Sequence, residues 1–188
     1  MRPRLSRTAI NNVLKKHKKN GYSCHTKVWK FFRAKRPDEL WQLDFKGPVT
    51  IQGKKYWFVA CIDDYSRYLI ICEQLDHCPT TIEVALMLMK HMGGGKPQSI
   101  LTDNGAQFGE EWKNFCETQR IEPLFAHPCY PQDKGKVERT IRNIAEEFTN
   151  LLAKFPQWLD GAIKSFRNWY NASRIHHGIG TTPKSLYV

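Results

Sequence analysis

The chain has 188 residues, of which 29 are Lys or Arg and 18 are Asp or Glu, so its formal net charge is +11. This length suits one compact domain with a short appendage, and 41% hydrophobic residues can form a real core, which excludes a wholly disordered protein. The longest apolar run, residues 56–62, is far below the roughly 20 residues of a membrane span. No apolar stretch of a secretory signal follows the basic N-terminus. We therefore expect no membrane partner.

The positive charge is unevenly distributed. Residues 1–36 contain twelve Lys or Arg and no Asp or Glu, whereas residues 37–188 hold 17 basic and 18 acidic residues. We therefore divide the chain into a basic N-terminal arm, residues 1–38, and a near-neutral domain, residues 39–188. Such an arm favours a polyanionic partner, most simply nucleic acid held through its phosphates, and a solvated tail is the alternative.

The arm contains one predicted helix. Apolar residues spaced three and four apart, and Ser6 as a capping residue, predict a helix over residues 5–20. One short amphipathic helix does not fold alone. It can be interpreted either as the remnant of a helix-turn-helix DNA-binding domain or as a loose basic helix.

The six cysteines are scattered and form no C-x-x-C pair. Several lie in apolar stretches, which is typical of reduced core residues in an intracellular protein. For a prokaryotic source this means the cytoplasm or the nucleoid. His17, Cys24 and His25 do not have the spacing of a common zinc finger, so we do not expect a zinc site there.

The domain is predicted to begin with three strands. Trp41, Leu43 and Phe45 alternate with polar residues, which predicts a half-buried strand that carries Asp44 on its polar face and is broken at residues 47–48. The apolar run 56–62 predicts a strand buried on both faces. Residues 63–66 indicate a turn and residues 67–75 the returning strand, which completes an antiparallel meander.

Helices and short strands alternate through the rest of the domain. In chain order they are a helix over 80–92, a strand over 98–102, a helix containing Phe108, Trp112 and Phe115, a strand over 123–126, an irregular loop over 127–135, a long helix that begins near Val137, and a helix over 156–170. The apolar side of the first of these helices is predicted to carry Ile82, Ala85, Leu86 and Met89. The order predicts an α/β fold with a mixed five-stranded sheet, an antiparallel meander plus parallel strands, flanked by helices.

Three carboxylates stand out from this pattern: Asp44 on the first strand, Asp103 at the end of the fourth strand, and Glu138 at the start of the long helix. Each alone has an ordinary interpretation, as an exposed strand residue, a turn residue and a helix-surface ion-pair partner respectively. Together they meet one chemical requirement. Two Mg²⁺ ions need hard oxygen ligands on rigid elements, with positions left open for phosphate and water.

Five ordered motifs resemble the integrase catalytic core of insertion-sequence transposases and retroviral integrases. They are WQLDF at 41–45, IDDYSR at 62–67, LTDNGAQF at 101–108, HPCYPQDKGKVE at 127–138, and a closing segment that runs from Tyr170 to His176 and continues with Gly180 and Thr182-Pro183. Asp103 and Glu138 are separated by 34 residues, close to the family's separation of about thirty-five. The resemblance extends over residues 39–188.

The resemblance implies an RNase H-like fold in which Asp44, Asp103 and Glu138 match the family's catalytic Asp-Asp-Glu triad and hold Mg²⁺ or Mn²⁺, two ions per site. It also implies strand cleavage at the ends of a mobile element, followed by strand transfer into target DNA, by a homo-oligomer assembled on DNA.

Polar residues around the triad are candidates for contacts with DNA. Lys134, Lys136, Arg139 and Arg142 surround Glu138 and form a basic patch in an otherwise neutral domain. Helix-surface charge pairing is the alternative for these four. Asn104 and Gln132 are predicted to hydrogen-bond DNA or to orient ligands. Asp64 and Arg67 are expected to stabilise the hairpin.

Two alternative functions remain at this point. A catalytically silent DNA-binding protein derived from a transposase would agree with the shortened N-terminal arm, although the intact triad argues against it. A general RNase H-like nuclease is disfavoured because the loop at 127–138 and the closing segment resemble integrases.

Overall fold

The computed structural model describes residues 6–17, 33–126, 134–154 and 159–187. The chain forms two compact units, Met1–Phe31 and Phe32–Val188. In the first, helix α1 spans Arg7–Lys16, and the Ser6 hydroxyl accepts a hydrogen bond from the Ala9 backbone N–H at 3.2 Å. The predicted helix and its cap are therefore confirmed, with residues 5 and 18–20 of the prediction outside the described part.

The second unit is built on a five-stranded sheet in the order β3-β2-β1-β4-β5. The strands are β1 (Leu40–Ile51), β2 (Lys54–Asp63), β3 (Leu69–Leu75), β4 (Ser99–Thr102) and β5 (Glu122–Phe125). β1 pairs antiparallel with β2, and β2 with β3, whereas β4 runs parallel to both β1 and β5. The predicted mixed five-stranded sheet is confirmed.

Strand β1 departs from its prediction in two ways. Gly47 and Pro48 do not end the strand: pairing with β2 shifts register between Lys46 and Val49 and then continues to Ile51. Gln42, predicted to lie on a polar face, is buried. This polar residue is accommodated because its side chain is hydrogen-bonded to Asp64, in the turn after β2, and to the backbone N–H of Val137, on the helix that covers its side of the sheet. β1 is therefore buried on both faces at its start.

Within the described residues, five helices accompany the sheet: α2 (Thr81–His91), α3 (Glu110–Thr118), α4 (Gly135–Lys154), α5 (Leu159–Ala172) and α6 (Pro183–Tyr187). A 3₁₀ turn, Ala106–Phe108, precedes α3. One apolar cluster joins the sheet to α4 and α5, and a second joins the opposite face to α2 and α3. The sheet is therefore the central layer of three.

Helix α2 buries a different side from the one the sequence pattern predicts. Val84 and Leu88 are fully buried against the sheet, whereas Ile82, Leu86 and Met89 are 67%, 59% and 52% exposed. Both sides of this helix carry apolar residues at helical spacing, so the period alone does not select the one that packs.

The end of the second unit returns to its beginning. The Tyr187 hydroxyl donates a hydrogen bond to Asp38 Oδ1 at 2.7 Å, and the Trp41 indole N–H donates to the same oxygen at 2.8 Å. The Tyr187 ring stacks on Tyr68 with a centroid separation of 4.3 Å. Through Tyr187, helix α6 is thus hydrogen-bonded to Asp38, just before the start of β1.

None of the helices in the described residues is both long and apolar enough to cross a membrane. Cys61, Cys72, Cys78 and Cys116 are free thiols. Cys24 and His25, named above for a zinc site, lie outside the described residues, as does Cys129.

Candidate active site

Asp44 lies on β1, and Asp103 directly follows the parallel strand β4. The register of the two strands pairs Gln42 with Leu101, and each aspartate lies two residues further along the chain. Strands in a sheet are about 4.8 Å apart, and residues in register point to the same face. That face is the one covered by α4, because Asp44 pairs with Ala60, a member of the apolar cluster under α4 and α5.

The ammonium group of Lys134 lies between these two carboxylates. Its Nζ atom is 2.7 Å from Asp44 Oδ1 and 3.7 Å from Asp103 Oδ2. The Lys134 side chain is 7% exposed and that of Asp44 13%, while that of Asp103 is 45% exposed. In this structure Lys134 is a counter-ion of the carboxylate pair, and its predicted contact with DNA phosphate stays a prediction.

Asp44 is not the solvent-facing residue that the alternation of β1 predicts. Burial beneath α4 raises the pKa of its carboxyl group, Lys134 opposes that shift, and the negative charge of Asp103 adds to it. Two carboxylates and one ammonium group form a site with a net negative charge, which is the electrostatic requirement for binding a cation.

The turn after β4 fixes the position of Asp103. The Gly105 backbone N–H donates to Asp103 Oδ1 at 2.9 Å, as predicted for an Asp-Asn-Gly turn. Asn104 is exposed, and its amide donates to the Ala126 carbonyl at 2.9 Å, which joins the ends of β4 and β5. Its donor group is therefore engaged within the fold, and its predicted contact with DNA stays a prediction.

Glu138 occupies the first turn of α4 and is half-buried. The preceding residue, Val137, donates its backbone N–H to Gln42 Oε1 at 3.3 Å, so this turn lies over β1 beside the aspartate pair. Within the described residues, no group of three or more His, Cys, Asp or Glu side chains is arranged to hold a metal ion. The structure thus brings Asp44 and Asp103 together, and Glu138 is not part of a formed three-carboxylate cluster.

A buried polar network supports the start of α4, and its centre, Asp64, was predicted only to stabilise the hairpin. The Asp64 carboxylate is fully buried, accepts hydrogen bonds from the Ala34 backbone N–H at 2.8 Å and from Gln42 Nε2 at 2.7 Å, and lies 3.5 Å from the guanidinium of Arg67. Gln42 thus bonds both Asp64 and α4. The sequence signal that could have identified this network is Gln42, a glutamine in a strand with apolar neighbours.

Lys136 belongs to this network. Its ammonium lies 2.5 Å from Asp64 Oδ1, and its side chain is 16% exposed. Burial lowers the pKa of Lys136, and the hydrogen bond and charge of Asp64 oppose that shift. Its predicted contact with DNA phosphate therefore competes with an ion pair inside the protein.

The structure describes two of the three remaining residues that were predicted to contact DNA. Arg139 and Arg142 lie on α4, and both are exposed and therefore accessible to a polyanion. Gln132 lies outside the described residues.

Comparison with known protein families identifies the family of the chain. The integrase core domain model matches residues 34–131, and a second integrase core domain model matches residues 119–183. The chain therefore belongs to the integrase core domain family.

Similar proteins come from viruses and bacteria. The chain is 34% identical over 116 residues to the Gag-Pro-Pol polyprotein of human T-cell leukemia virus 3 (strain 2026ND), which covers 57% of this chain and 7% of the polyprotein. It is 27% identical over 150 residues to the transposase for an IS21-like insertion sequence element of Bacteroides fragilis, which covers 72% of this chain and 28% of the transposase. The chain thus spans only a small part of either relative.

Solved structures show the same fold. The HTLV-2 integrase catalytic core domain in complex with magnesium (trimeric form) superposes with a TM-score of 0.69 at 24% identity, over 83% of this chain and all of that one. A chain of the simian T-cell lymphotropic virus intasome, in complex with a PP2A regulatory subunit, superposes with a TM-score of 0.75 at 20% identity, over 92% of this chain and 66% of that one. The fold is RNase H-like, as the motifs imply.

Proposed function

We propose that the domain catalyses divalent-metal-dependent phosphoryl transfer on DNA, cutting a strand at the end of a mobile element and joining it to target DNA. The observation that carries this proposal is the Asp44–Asp103 pair: Asp44 lies on β1, Asp103 directly follows the parallel strand β4, and both carboxylates face the ammonium of Lys134. The integrase core domain family supports it, since the relatives include a transposase and a viral polyprotein.

The donor set fits Mg²⁺ or Mn²⁺. Both ions prefer carboxylate oxygen, and the ammonium of Lys134 already marks a cation position between Asp44 and Asp103. We assign Asp44, Asp103 and Glu138 as ligands of two ions. When bound, such ions would activate the attacking oxygen and neutralise the charge on the phosphate.

The chain's own residues provide rigidity and charge. The β1–β4 register fixes the two aspartates, and the Gln42–Val137 hydrogen bond keeps the first turn of α4, with Glu138, over β1. Arg139 and Arg142, one and four residues after Glu138, are assigned to DNA phosphates. DNA and further copies of the chain are the proposed partners, as the name of the similar viral intasome suggests.

A catalytically silent DNA-binding protein is the second candidate. It is favoured by one observation: Lys134 already neutralises part of the charge that would hold a metal ion. The two candidates predict different responses to Mn²⁺, because only the enzyme needs the metal.

The test is nicking of supercoiled plasmid DNA in Mn²⁺ by the full chain. Asp44→Asn, Asp103→Asn and Glu138→Gln are each expected to lose at least about 100-fold in rate, since even indirect supports of metal sites cost 10- to 100-fold. Glu146→Gln, an exposed residue two turns further along α4, is the matched control and should retain the wild-type rate. Equal activity of wild type and Glu138→Gln would refute the proposal; an inactive wild type that still binds DNA would establish the silent candidate.

A further inference from the structure

Lys134 is unusual because a long, flexible cation is almost completely buried at a site assigned to metal ions. Only 7% of its side chain is exposed, and its Nζ atom lies within 4 Å of oxygens from both Asp44 and Asp103. Burial of a lysine ammonium is costly unless it is paired, so these two carboxylates are what retains it.

The ammonium and a bridging metal ion require the same oxygens. Mg²⁺ binds carboxylate oxygen at about 2.0–2.1 Å. A metal ion held by Asp44 and Asp103 would therefore compete for the carboxylate oxygens that now face the ammonium. Two cations so close would also repel each other, because the Lys134 and Asp44 side chains are largely shielded from water.

The Lys134 side chain can move away from the two carboxylates. Lys134 precedes Gly135, the first residue of α4, and a Cβ atom added at Gly135 would meet no atom of the described residues within 4 Å, its chain neighbours aside. Described atoms therefore do not crowd the backbone here, and the flexible four-carbon stem of lysine can rotate its ammonium away from the carboxylates.

We propose that Lys134 is a built-in counter-ion that competes with the divalent metal for the Asp44–Asp103 pair and thereby sets the metal affinity of the DNA-free protein. This inference rests on the proposed function. In the absence of metal, Lys134 relieves the repulsion between the two aspartates. Metal binding displaces its ammonium, which then becomes available to an anion such as DNA phosphate.

The test measures Mn²⁺ affinity of the DNA-free full chain by calorimetry. Lys134→Met is expected to bind Mn²⁺ at least about tenfold more tightly than wild type, because removing an ammonium so close to two carboxylates lowers the cost of metal binding. The gain should persist in 0.5 M KCl, which screens distant charges but not a direct competitor. Lys164→Met, which removes an exposed lysine from α5, should leave the affinity unchanged.

Thermal unfolding with and without Mn²⁺ is a second measurement, which keeps the test decisive if a Lys134 variant folds poorly. Without metal, Lys134→Met should melt at a lower temperature than wild type, and saturating Mn²⁺ should raise its Tm more than it raises that of wild type. Lys134→Gln, which keeps a polar end group, should behave in the same way and replaces Lys134→Met if that variant does not fold.

The outcomes separate this inference from the proposed function. Unchanged or weaker Mn²⁺ binding in both Lys134 variants, or an equal gain in Lys164→Met, overturns the competition. Equal Mn²⁺ binding by wild type and Asp44→Asn overturns the metal site itself. Saturable binding that Asp44→Asn loses, with no gain in the Lys134 variants, refutes only the competition.

Discussion

The Lys136 ammonium lies 2.5 Å from the fully buried carboxylate of Asp64, so the first turn of α4 is joined by an ion pair to the hairpin between β2 and β3. Gln42 bonds the same carboxylate and also the backbone of α4. Two separate bonds therefore hold the start of the helix that carries Glu138.

Removal of Asp64 tests this connection. Asp64→Ala leaves the Lys136 ammonium and the Gln42 amide without their buried acceptor, and breaking a buried ion pair typically costs about 3–5 kcal/mol. We expect urea unfolding to show a loss of about that size. Asp76→Ala is the control: its side chain is 87% exposed, and its loss should stay below about 1 kcal/mol. Similar losses in the two variants would contradict the importance of the network.

Two leucines of α2 test which side of that helix packs. Leu88→Ala removes a fully buried side chain and should lower the free energy of unfolding by about 2–5 kcal/mol. Leu86→Ala, two residues away and 59% exposed, makes the same chemical change and should alter it by no more than about 0.5 kcal/mol. Thermal or urea unfolding measures both. A larger loss in Leu86→Ala than in Leu88→Ala would show that the side predicted from the sequence is the one that packs.

Stability should decline in mild acid through His91. Burial lowers the pKa of His91 to about 4 from 6.5, and the charges of Arg167 and Lys90 contribute. Because the folded-state pKa is the lower one, the stabilising effect is complete above pH 6.5 and is lost as the pH falls from about 6.5 to about 4. His91→Gln should therefore lose less stability than wild type when urea unfolding is compared at about pH 7 and about pH 4.5.

His77 provides a control of opposite sign. Hydrogen bonds from its ring to Asp76 and Glu83 raise its pKa above 6.5. It contributes stability at pH values below 6.5 and loses that contribution as the pH rises through the folded-state pKa. His77→Gln should lose slightly more stability than wild type over the same fall in pH. A shared direction for the two variants would show that the assignment is wrong.

The basic arm should determine the salt dependence of DNA binding. Replacing Lys15, Lys16, Lys18 and Lys19 by Gln is expected to reduce the slope of log K against log salt concentration by about 0.9 for each DNA phosphate that the arm no longer neutralises. Fluorescence anisotropy with duplex DNA at several salt concentrations measures this slope. Replacing Lys90, Lys113, Lys164 and Lys184, exposed lysines of the second unit, is the charge-matched control. Equal slopes in both variants would make the arm a solvated tail.

Much of the fold follows from local patterns. The apolar run that becomes β2 and the turn at Asp63 depend on short-range chemistry, so the sequence predicts them well. The choice of side on α2 does not, because Leu86 and Leu88 are equally apolar and only tertiary packing distinguishes them. Gln42 was misplaced for a related reason: its partners lie 22 and 95 residues away.

Some features of the candidate site can likewise be predicted from the sequence, whereas others depend on tertiary contacts. The resemblance of motifs selects Asp44 and Asp103, and the parallel pairing of β1 with β4 explains why they meet. Charge pattern identified Lys134 and Lys136 as basic residues near Glu138, yet it does not say whether an ammonium faces solvent or a carboxylate. Their partners, Asp44 and Asp64, lie 90 and 72 residues away in the chain, beyond any local rule.

The bond between Tyr187 and Asp38 has a consequence for the order of folding. It joins residues 149 positions apart, whereas β1, β2 and β3 follow one another directly. Contacts of such long range form late because loop closure is costly. On the ribosome, the three-stranded meander can pair early, but the entry of β1 remains open until Tyr187 emerges. The contacts around Asp38, at the start of the central strand β1, are thus completed only after Tyr187 has been synthesised.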